Sequence, residues 1–147
     1  MTIARPRNIC GIFLLSIGLL FSGLLNFAQE KAPYADARAV LEPLAELIEE
    51  FVMKMNEAET PDSVAEILDT FAESMKTMVP KINEISKKYP EIKNEDTHPE
   101  ALKSLLQRIE KDFGAMMKAY TKVMENIETP AVKTADDKYK AIMKGLK

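Results

Sequence analysis

The chain has 147 residues, 20 basic and 23 acidic, with a single histidine and a single cysteine. That length holds one ordinary domain and a targeting segment, but not two sizeable cores. The acidic balance excludes a nucleic-acid binder, whose surface must be basic enough to displace counterions, and the lone cysteine excludes an internal disulfide scaffold.

The first residues stand apart from the rest. Arg5 and Arg7 carry positive charge, Ile9 to Leu25 is an uncharged apolar run of 17 residues, and no acidic residue precedes Glu30. A basic start, an apolar middle and a short polar exit predict a secretory signal peptide over residues 1–28, cut between Ala28 and Gln29. The alternative is an uncleaved anchor, since about 18 to 20 apolar residues span a membrane; contact with lipid is then expected only through this segment. Cys10 lies at the front of the run, where a lipid-modified cysteine would lie behind it. Removal of residues 1–28 takes away Arg5, Arg7 and the cysteine, leaving 18 basic against 23 acidic residues. The expected mature domain, 29–147, is therefore acidic, cysteine-free, and exported to a periplasmic or extracellular location.

From there apolar residues recur at steps of three and four, the spacing of one helix face. The first stripe is Ala37, Leu41, Leu44, Ile48, Phe51 and Met55. The second runs from Val64 through Leu68, Phe71, Met75, Met78, Ile82 and Ile85 to Tyr89, and the third from Leu102 to Ile127. A shorter fourth is Val132, Ala135, Tyr139, Ile142 and Leu146. Thr60-Pro61 and Thr129-Pro130 place a capping hydroxyl before a proline suited to a first helical turn. Thr97-His98-Pro99-Glu100 has the form of a capping box, and Tyr89-Pro90 should end the second helix. Pro43 and Pro80 fall inside helices and should bend them.

Short connections between long helices make neighbours antiparallel. The expected fold is thus all-α: an antiparallel up-down bundle of three long helices, with a short fourth laid back against the third. Heptad-like seams can also be shared between chains, which leaves a homodimer open.

Eight methionines follow residue 28, and an antiparallel register gathers several. If Phe71 faces Tyr120, Met75 faces Met116, Met78 lies near Phe113, and Met143 reaches the same level. Met75, Met78, Met116, Met117 and Met143 are therefore the candidate ligand-binding residues, for an apolar ligand, a polypeptide partner or Cu(I), which soft thioethers favour. Against this stands simple gap-filling by flexible side chains. No catalytic residue and no metal ligand set is assigned. His98 is expected as a solvated loop residue, and the pairs Glu49-Glu50 and Asp136-Asp137 should face water. Gly114 suits a close helix contact and Gly145 a C-terminal cap. Lys138, Lys140, Lys144 and Lys147 make the last helix basic, which suits the helix dipole.

In helix order and lengths the mature chain resembles the soluble periplasmic b-type cytochromes, which implies an exported four-helix bundle. That family holds haem through a methionine of the first helix and a histidine near the end of the last. The last helix here, Val132 to Lys147, has no histidine, and Cys-x-x-Cys-His is absent, so the haem site does not carry over and no cofactor is expected. The junction Lys88-Tyr89-Pro90-Glu91 resembles that of small exported bacterial proteins and implies an envelope location. The function expected from the residues is a non-catalytic extracytoplasmic binding or protein-interaction module, its partner a protein or an apolar ligand. The alternative is a periplasmic cofactor or metal carrier.

Overall fold

The computed structural model describes residues 33–146, so the expected signal segment and the Ala28–Gln29 cut lie outside the described residues. Among the described residues the structure is all-helical, with no strand. The elements are α1 (Ala35–Glu57), α2 (Pro61–Lys88), α3 (Lys103–Ala119), α4 (Thr121–Glu125) and α5 (Pro130–Met143). Two 3-10 turns, Pro90–Lys93 and Glu95–Thr97, join α2 to α3.

Helix α1 begins at Tyr34, whose φ of 63° is left-handed, a conformation that costs a non-glycine residue about 1–2 kcal/mol. Its ring lies 4.8 Å from that of Tyr89, and its hydroxyl donates to Glu91 Oε1 at 3.0 Å, which hold it there. Thr60 caps α2 as the sequence predicts: Ser63 N donates to Thr60 Oγ1, and Thr60 N donates to Ser63 Oγ, both at 3.2 Å. Tyr89 ends the same helix before Pro90. Pro43 and Pro80 lie inside α1 and α2 on exposed positions. Each leaves the carbonyl four residues earlier without its helical donor; those residues, Ala39 and Lys76, are exposed too, within reach of water.

The capping box at Thr97 does not form. Pro99 and the residue before it are unsuited to a helical turn with Thr97 as its cap, and Thr97 Oγ1 instead donates to Glu91 O and Asn94 O. A turn from Pro99 to Leu102 follows, and α3 starts only at Lys103. The third stripe, read as one helix, is interrupted at Tyr120 and continues as the short α4. Lys122 on α4 donates to Asn56 O and Ala58 O, at 3.0 and 2.8 Å. It thus supplies donors to carbonyls at the end of α1, which a helix leaves unpaired.

Helix α1 packs on α2 and α3, and α2 packs most extensively on α5. The last helix therefore lies against the second rather than the third. Four contacts fix these pairings: Phe51 and Phe71 (centroids 4.5 Å apart), Glu49 and Arg108 (2.6 and 2.8 Å), Asp69 and Lys138 (2.6 Å), and Asn83 Nδ2 with Gly145 O (2.7 Å). One core joins the helices, with Leu68, Met55, Val64, Leu102, Val123 and Val132 nearly or wholly sealed from solvent.

The glycines differ from expectation. A methyl at Gly145 would lie 3.1 Å from Ile142 O and 3.4 Å from Val79 Cγ1, so this residue permits close approach to α2 and takes no left-handed capping conformation. Gly114, expected at a close contact, is exposed, and a methyl there would meet nothing within 4 Å among the described residues.

Candidate functional site: an apolar cleft between α3 and α5

Helices α3 and α5 each pack on the α1–α2 pair but scarcely meet each other. The space between them is a cleft of about 170 Å³. Leu44 and Ile48 of α1 and Phe71, Met75 and Ile82 of α2 line it, with Ile109, Phe113 and Met116 of α3, Tyr139 and Met143 of α5, and Leu146 beyond α5. All are apolar apart from the Tyr139 hydroxyl. The helical stripes explain this lining: each turns its seam inward, and where two helices stand apart the seams border a gap. A larger groove of about 310 Å³ between α1 and α2 has a mixed lining that includes Glu50, Lys54 and Glu66.

Of the five methionines singled out from the sequence, Met75, Met116 and Met143 line this cleft together. Met78 is buried without lining it, and Met117 is 56% exposed. The direct facing of Phe71 and Tyr120 is not found. Tyr139 stands between them, its centroid 5.7 Å from Phe71 and 5.9 Å from Tyr120.

Beside the cleft lies a polar cluster that the sequence reading misplaced. Asp136, expected to face water, is 2% exposed. It accepts a hydrogen bond from the Tyr120 hydroxyl and another from Lys140 Nζ, the latter at 2.6 Å. Four residues after Val132 and three before Tyr139, Asp136 belongs to the inward face of α5 by spacing; its charge, not its position, suggested exposure. Burial, then the bond to Asp136, pushes the Tyr120 phenol upward. Burial followed by the Asp136 charge does the same to Tyr139, and Asp136 raises Lys140. Both phenols therefore keep their protons at neutral pH, and Tyr120 donates its own to Asp136. The cluster ties α5 to the α3–α4 junction.

His98, expected to be solvated, has a side chain only 7% exposed. Its Nε2 lies 3.1 Å from Ile92 O; a carbonyl only accepts, so Nε2 carries the proton. Glu49, by contrast, is exposed and pairs with Arg108, which holds its carboxyl below the usual range. Among the described residues no group of three His, Cys, Asp or Glu side chains is arranged to hold a metal ion, and no helix is long and apolar enough to cross a membrane.

The chain matches no protein-family model, no curated protein and no solved structure. No relative found supports the likeness in layout to the b-type cytochromes.

Proposed function

We propose that the chain is an exported, non-catalytic binding module, built as an up-down helical bundle, whose cleft between α3 and α5 receives an apolar group from its partner. The observation that carries the reading is the apolar lining of that cleft, contributed by four helices. Several contact series support the alternating helix directions. Asp36 meets Lys88 and Phe51 meets Phe71, so numbers fall along α2 as they rise along α1. They rise together along α1 and α3 (Arg38 with Ala101, Glu49 with Arg108) and along α2 and α5 (Asp69 with Lys138, Asn83 with Gly145). Export rests on Arg5, Arg7 and the apolar run that follows them.

Size decides among occupants. Ordinary small-molecule pockets span about 300–1,000 Å³, whereas an apolar cavity of about 150 Å³ holds benzene. At about 170 Å³ the cleft suits one bulky side chain or a short alkyl chain. Burying one such group is worth about 1.5–3 kcal/mol, less than the roughly 4 kcal/mol of even a millimolar complex. The group is thus an anchor, and further contacts fall on the exposed Phe113 and Leu146, which border the cleft.

The test is a methionine-methyl NMR titration of the protein, expressed from the full sequence and purified as the cell leaves it, with benzene and 1-octanol as probes. Shifts confined to Met75, Met116 and Met143, with Met53 and Met124 unmoved, support the proposal. No shift, or equal shifts at all methionines, removes it. The three thioethers on one cleft also favour a second reading, a Cu(I) carrier, because soft sulfur ligands select that ion. Cu(I) added under reducing conditions should then move the same three methyls while benzene does not.

A further inference from the structure

Nothing among the described residues accounts for Gly114. Glycine in a helix interior is destabilising relative to alanine, yet a methyl at position 114 would meet nothing within 4 Å. Position 114 lies on an exposed face of α3 that also carries Glu110, Met117 and Lys118. Met117 beside it is 56% exposed, and Met124, one heptad further on, is 49% exposed. A helix that omits a side chain where its own fold has room, next to uncovered apolar ones, is shaped for another backbone arriving from outside.

We propose that this face of α3 pairs with the same face of a second copy of the chain, the two helices running antiparallel and crossing at Gly114. The charges select that partner and that direction. Positions equally far before and after the crossing face one another. Glu110 and Lys118 lie four residues either side of Gly114. The pair joins opposite charges, and two-fold symmetry makes it twice. A parallel arrangement would set Glu110 against Glu110 and Lys118 against Lys118. The pairs are exposed, so they set register and direction, while close approach at Gly114 and cover for Met117 hold the copies together. The inference uses a different face from the cleft and does not rest on the function proposed for it.

The test is sedimentation velocity over a range of concentrations, on protein expressed from the full sequence and purified as the cell leaves it. The wild type is expected to dimerise. Gly114→Leu fills open space within the chain, so it should keep its helical circular dichroism and melt no lower than the wild type, yet self-associate at least tenfold more weakly. Glu110→Lys should weaken association as well, and Glu110→Lys combined with Lys118→Glu should restore it. A wild type that stays monomeric at every concentration overturns the proposal. So does a dimer indifferent to Gly114→Leu, or a charge-swapped pair that fails to recover. The charge variants alone decide the matter if the leucine variant does not fold.

Discussion

Helix α2 seats two partners in different ways. Against α1 it offers apolar side chains: Phe51 and Phe71 stack, and Leu41, Leu44, Ile48 and Met55 of α1 are buried. Against α5 fewer apolar residues are fully enclosed: Val132 and Ala135 of that helix are buried, while Tyr139, Ile142 and Met143 are partly buried against the core. Polar contacts add to this, namely Lys138 with Asp69 and Glu73, and Asn83 with Gly145, while Asp136 with Tyr120 ties the same helix to the α3–α4 junction. Apolar burial has no preferred direction, whereas hydrogen bonds and ion pairs do. The first seat supplies stability; the second supplies position, and with it the width of the cleft.

The largest test of this contrast removes what both seats share. Phe71 touches Phe51 on one side and Tyr139 on the other, so Phe71→Ala should lower the unfolding free energy by about 3–5 kcal/mol, read by urea denaturation. Asp136→Ala should separate the seats. It leaves the Tyr120 hydroxyl without its acceptor, a loss of about 1–3 kcal/mol. Amide exchange should quicken across α5 while α1 stays protected; equal quickening in both helices would show the seats to be one unit. Lys138→Ala removes two ion pairs that are only partly shielded. Its effect should be small and should shrink in high salt.

The smallest effect concerns a polar contact between α1 and the end of α2. Lys88 and then Tyr89 hold the Asp36 carboxyl down from 3.8 to about 2. A carboxyl depressed on folding contributes above its unfolded pKa and loses that contribution as pH falls through the folded value. The contact should thus persist at neutral pH and disappear between about pH 4 and about pH 2. The pH dependence of stability in Asp36→Asn, compared with the wild type over that window, measures it.

This contrast also explains what could be read in advance. The stripes gave the helices because a buried face imposes its period on the residues that fill it, and Thr60 and Tyr89 bounded α2 through local backbone chemistry. Which neighbour covers a stripe is set by the whole packing, so α5 was expected on the third helix and lies on the second. Met75, Met116 and Met143 could be gathered by register, but the Tyr139 ring between Phe71 and Tyr120 could not. Asp136 and His98 were misread for one reason: type was weighed over place. Asp136 has the spacing of an inward residue, and His98 has a carbonyl acceptor that only the folded loop provides.

The uneven placement of the methionines has one more consequence. Met53, Met117 and Met124 are open to solvent, while Met55, Met75, Met78 and Met116 are enclosed. Peroxide converts a thioether to a polar sulfoxide, and it should reach the first three long before the others. Oxygen added at Met55 or Met78, which are buried away from the cleft, then reports that the bundle has opened, so the order in which sulfoxides accumulate gives this chain a built-in clock of its own unfolding.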